Sequence, residues 1–127
     1  MSYEQSGRYI GFLAAGADLS AAQFLGVDVD TTAAQSKVVK QTTAGGRVIG
    51  ILQDKPTSGQ AALVQISGVS KAVCGSAGAT AGDDVMVDTS GQFTTATTGK
   101  RKVGVALATA VSGDVFPVLL MPGAAVV

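Results

Sequence analysis

Residues 47–66 read RVIGILQDKPTSGQAALVQI, and residues 101–120 read RKVGVALATAVSGDVFPVLL. At a constant offset of 54 the two stretches share Arg47/Arg101, Gly50/Gly104, Ser58/Ser112, Gly59/Gly113 and Val64/Val118. Each holds a short aliphatic run with one glycine, a Ser-Gly turn, and a closing run that is nearly continuous in apolar residues. Short apolar runs bounded by turn formers predict strands, and continuous apolar character predicts strands covered on both faces. Glycine inside a strand marks a bulge or a close backbone approach, so Gly50 and Gly104 read as backbone requirements. Pro117 has no N–H to donate, which predicts that its strand lies at an edge or is bulged there.

The repeat extends upstream. GVDVD (26–30) alternates Val27 and Val29 with aspartates, and DVMVD (84–88) sets Val85 and Val87 at the same spacing between flanking aspartates, the period of a half-buried strand with valines inward and acids toward water. SKVVK (36–40) follows the first and GQFTT (91–95) the second. The connection DTTAAQS is longer than DTSG, and this difference accounts for most of the shift in offset from 58 upstream to 54 downstream. Each half therefore reads as four short strands, in pseudo-repeats of about 26–68 and 84–122. SKAVCGSAGATAG (70–82) between them predicts one more short strand and a small-residue linker. The expected fold is all-β, a small barrel or sandwich. The one helical candidate is ADLSAAQFL (17–25), with Asp18 or Ser20 as its cap.

Composition bounds the function. The 127 residues suit one domain with a modest core. Charged residues are 14% of the chain, against roughly 25% in typical soluble domains. Nine cations balance nine anions, so the basic surplus that phosphate backbones require is missing, and no nucleic-acid partner is expected. Low charge with many small apolar residues instead suggests a surface partly covered by another protein. No apolar run reaches the ~20 residues of a membrane span, and no membrane partner is expected. Ala15-Gly16-Ala17 faintly resembles a signal-peptide cleavage site, but Glu4 and Arg8 leave no positive n-region.

A search for chemistry finds little. The chain has no histidine, which removes Ser-His-Asp and Cys-His catalysis and the commonest metal ligand. Cys74, the single cysteine, lies in KAVCGS among apolar residues with no base in its segment, and reads as a small buried hydrophobe. Asp28/Asp30 and Asp83/Asp84 lack the alternating oxygen-rich loop of a calcium site and read as solvated polar faces. TTGKRK (97–102) fails as a phosphate loop, because Arg101 follows Gly99-Lys100 and a strand comes next. Lys100, Arg101 and Lys102 read either as a solvated turn or as a basic turn that contacts an acidic partner, and are kept as contact candidates on the second reading. No catalytic residue, metal, cofactor or small-molecule substrate is expected, and the chain does not read as an enzyme.

The first sixteen residues stand apart as an N-terminal arm (1–16) before the body of the domain (17–127). They hold three of the six aromatics, Tyr3, Tyr9 and Phe12, and no counterpart to them is evident in the repeat. Such a segment packs either as a strand of its own core or as an arm on a partner. In the second case Tyr3, Tyr9, Ile10, Phe12 and Leu13 are the contact candidates.

Taken in order, ADLS (17–20), GILQDKP (50–56), the Ser-Gly turn, GVSK (68–71), AGD (81–83) with its VxVD, and VGVAL (103–107) before SGxVxPVLL resemble the capsid decoration, or capsid cement, proteins of tailed bacteriophages. The likeness runs from about Tyr9 to Leu120. It implies a small β-barrel protein, made in the host cytoplasm and bound to the outer surface of the virion head. There it would clamp neighbouring capsomers against internal DNA pressure, with the major capsid protein as partner and the chain itself forming a homotrimer. The alternative is another virion component of similar β-build, a head fibre base or a tail protein.

Overall fold

The computed structural model describes residues 8–32 and 36–121. Tyr3 and the middle of the DTTAAQS connection lie outside them. The first repeat supplies β3 (Gly26–Val29), β4 (Lys37–Lys40), β5 (Gly50–Leu52) and β6 (Val64–Gln65). The second supplies β8 (Asp84–Val87), β9 (Phe93–Thr95), β10 (Gly104–Ala106) and β11 (Val115–Leu120). Three further strands, β1 (Tyr9–Ile10), β2 (Ala14–Ala15) and β7 (Gly68–Val73), complete the set. The sheets run β1-β6-β5-β3-β4-β2 and β7-β11-β10-β8-β9. The order β6-β5-β3-β4 in one is the order β11-β10-β8-β9 in the other, so the duplicated sequence is a duplicated topology. The fold is all-β and sandwich-like; neither sheet closes into a barrel.

The duplication reaches further back than the side chains suggest. Ala15 N–H donates to Gln60 O and Gly16 N–H to Val38 O, both at 2.8 Å. Cys74 N–H donates to Asp114 O at 2.8 Å and Gly75 N–H to Phe93 O at 2.9 Å. By their pairing partners residues 9–10 thus repeat 69–70 and residues 14–16 repeat 73–75, each segment pairing with the closing strand of its half and then touching the other margin of the same sheet. The arm residues therefore do have a partner in the repeat. What carries the repeat there is backbone pairing and one glycine. A Cβ on Gly16 would strike Asp30 and on Gly75 would strike Asp88, the acid that opens the turn after the alternating strand in each half.

Each half has its own core. Leu13, Leu25, Val27, Val38, Leu52 and Val64 fill the first; Val85, Val87, Phe93, Ala106, Phe116 and Val118 fill the second. The halves are locked by exchange across a seam. Ile51 of β5 is fully buried in the second core, with Phe24 and Val48 packed against that core, while Val73 of β7 packs against the first. Gln53 Nε2 donates to Ser70 Oγ at 2.9 Å, and the buried Gln65 donates to Ser67 O and Val69 O.

Three expectations fail, each for a physical reason. Residues 17–25 are turns. Asp18 Oδ1 accepts from Ser20 N at 3.0 Å, an Asx turn that competes with helix, and Phe24 at φ 65 lies in the left-handed region. Leu19, Ala22 and Leu25 still face the core, because successive turns joined by bonds from Ala22 N to Leu19 O and Leu25 N to Ala22 O keep a spacing of three. Pro117 lies on β11, an inner strand whose register with β7 is unbroken at Pro117 and whose ladder with β10 ends one residue away at Val118. It is tolerated because Leu107 N–H donates to Pro117 O at 3.0 Å just past the end of β10, where the missing return bond interrupts no ladder. Val29 is 40% exposed, although Val27, Val85 and Val87 are buried. It extends beyond the first core to the rim of a groove.

Candidate interaction groove

The opening repeat lines that groove from both sides. Arg47, Ile49, Gly50 and Ile66 come from the first half, and Arg101, Val103 and Leu120 from the second, in a cavity of about 620 Å³. Arg47/Arg101, Ile49/Val103 and Ile66/Leu120 are pairs at the offset of 54, so the groove lies between equivalent edges of the two modules. Val48 and Lys102, also equivalent, complete the pairing, and Val29, Ser36 and Met121 form further parts of the wall.

The glycines set this shape. A Cβ on Gly50 would fall on the Gln65 carbonyl oxygen, and a Cβ on Gly104 on the Leu119 carbonyl oxygen, at equivalent positions of the closing strands. The glycines let each closing strand cross at that distance, and the close backbone approach read from the sequence is present at both. The Ser-Gly turns also behave as read: Gly59 and Gly113 have φ of 84 and 86, values that L side chains rarely adopt.

The structure brings the two groups of candidate contact residues into one place. Ile10, Phe12 and Leu13 line the groove from the arm side, and Arg101 and Lys102 from the basic turn. Phe12 is 77% exposed, Ile10 is half-buried, and Leu13 is buried in the first core. Tyr9, 41% exposed, pairs with Gln65 but lies outside the groove lining. Lys100 also lies outside it; its stem covers Gly45 of the first half, and Arg101 N–H donates to Gly45 O at 3.2 Å. Sequence reasoning missed Arg47, Ile49, Ile66 and Met121. The signal for the first three was the repeat itself, which places Arg47, Ile49 and Ile66 opposite Arg101, Val103 and Leu120.

Electrostatics distinguish the three groove cations. Arg47 Nε and Nη2 donate to Asp28 Oδ1 and Oδ2 at 2.9 and 3.3 Å, and the carboxylate beside it raises the guanidinium pKa. Lys102 Nζ lies 3.3 Å from Asp84 Oδ1. Arg101 is exposed and has no ion pair among the described residues. The remaining acids of the two pairs are engaged by the protein: Asp30 accepts from Thr32 N and Oγ1, and Asp83 from Thr95 Oγ1. Cys74 is fully buried, and desolvation, then Asp114 and Asp88, push its thiol pKa up, away from nucleophilic use.

Comparison with protein-family profiles and with curated proteins gives no match. Among solved structures the chain is similar to the N base of the head fibre protein gp8.5 of bacteriophage phi29, with a TM-score of 0.72 and 11% identity. That likeness covers 90% of this chain and 95% of the other, so it extends over both halves of the fold.

Proposed function

We propose that the chain is a structural component of a bacteriophage virion that seats on the outer surface of the head. The observation that supports this best is the likeness to the head fibre base, which includes both sheets at a TM-score of 0.72. The ordered motifs from ADLS to SGxVxPVLL point to the same setting. Zero formal charge and a groove lined by aliphatic side chains, Phe12 and two arginines suit a protein whose work is binding. The fold likeness favours a base-like attachment to the head at least as strongly as a cement that clamps capsomers. In either case the major capsid protein is the partner, and a homotrimer would add avidity through effective concentration.

The test mixes purified protein with expanded, undecorated phage heads and with tails. Stoichiometric binding to heads is expected. Binding that also raises the heat resistance of the heads selects the clamp, and binding without that gain selects the base. Failure to bind heads, or binding to tails alone, overturns the proposal.

A further inference from the structure

We infer that the groove between the modules is a docking site for an apolar peptide segment that carries a carboxylate, supplied by the shell protein. This inference rests on the virion reading for the source of the segment. The wall combines Phe12, Met121 and two arginines with aliphatic side chains, and among the described residues it contains no acid. Phe, Met and Arg are the residue types enriched where proteins meet, while Asp and Glu are depleted there. Phe12 and Met121 are exposed large hydrophobics at one site, so covering them removes apolar surface from water.

Charge fixes the chemistry of the occupant. Asp28 and Asp84 already engage Arg47 and Lys102, which leaves Arg101 as the groove cation without an ion pair among the described residues. An incoming carboxylate accepts from Arg101 while its apolar neighbours cover Phe12, Ile49 and Ile66. A basic segment would be repelled by Arg101, and a neutral one would leave it unmatched.

The probes are blocked eight-residue peptides alternating valine with aspartate, asparagine or lysine, titrated onto the full chain and followed by NMR. The aspartate peptide should shift Ile49, Ile66 and Met121 signals and bind about tenfold more tightly than the asparagine peptide. Arg101→Glu should reverse that order in favour of the lysine peptide, and Phe12→Ser should weaken all three. Both side chains are exposed, so an unchanged melting temperature is expected and confirms that each variant is folded. Equal binding of the three peptides, shifts confined to another face, or no binding overturns the inference. So does displacement of the aspartate peptide by a DNA duplex, or loss of self-association in both variants, which would mark a second copy as the occupant. Heads separate this inference from the virion reading. Equal head binding by wild type and Arg101→Glu removes the groove and leaves the virion role standing; no head binding by either removes the virion role, and the peptides still decide the groove.

Discussion

At Gly50 and Gly104 the physical demand is space, whereas at Gly59 and Gly113 it is backbone conformation. A methyl group at Gly50 falls on a backbone oxygen of β6, which cannot rotate away as a flexible side chain would. At Gly59 nothing lies within 4 Å, so an added methyl group costs only the left-handed conformation. Gly50→Ala or Gly104→Ala should therefore lose about 2–4 kcal/mol in urea unfolding, because a closing strand must shift. Gly59→Ala should lose about 1–2 kcal/mol. Equal losses would refute the distinction. Cys74 adds a pH dependence. Its thiol pKa is raised in the folded state, so folding holds the proton more tightly than the unfolded chain does. That contribution is complete below the unfolded thiol pKa and is lost as pH rises through the folded one. Cys74→Ala should flatten the alkaline fall in melting temperature, and the native thiol should resist alkylation near neutral pH; rapid modification of the folded protein would contradict this. Residue identity announced the glycine roles and the buried cysteine in advance. It did not announce the exposure of Val29, since alternation gives a side chain's face but not where the core beneath that face ends.

For single elements, most strands were legible because two-residue periodicity and paired turn formers occur twice. The segments that escaped are those whose structure is decided by partners. β1 and β2 have two residues each and repeat β7 and its continuation through hydrogen bonds any residue could make; only Gly16/Gly75 carries a side-chain signature. Residues 17–25 have helical composition, yet the Asx turn at Asp18, the Leu19 N–H donated to Pro56 O and the left-handed Phe24 each draw the backbone away from a helix. The same reasoning separates two neighbouring residues of the arm. Leu13→Ala should cost about 2–4 kcal/mol in chemical denaturation, as a buried leucine does. Phe12→Ser should leave stability unchanged while weakening attachment to heads. If Phe12→Ser is as destabilising as Leu13→Ala, the phenylalanine serves the core and not an interface.

The whole molecule poses the question of whether two modules with two cores unfold as one body. Their separate cores would permit two transitions. The seam argues for one, because residues are exchanged across it: Ile51 leaves the first sheet for the second core, and Val73 packs against the first. Backbone bonds add to this, with Gly26 N–H donating to Gly91 O and Gly45 N–H to Val87 O, both at 2.8 Å. None of these partnerships follows from the repeat, since equivalence between halves says nothing about how they face each other. The groove was hidden for the same reason until the halves were placed together. A single calorimetric transition is therefore expected, with calorimetric and van't Hoff enthalpies equal. Ile51→Ala should lower that transition as a unit, by about 2–5 kcal/mol, and should speed hydrogen exchange in β11 as much as in β6. Leu52→Ala, on the same strand but in the first core, provides the comparison: if the halves are one cooperative unit, it too speeds exchange in β11. Two transitions, or an Ile51→Ala effect confined to the second half, would mean that the modules are joined without being coupled.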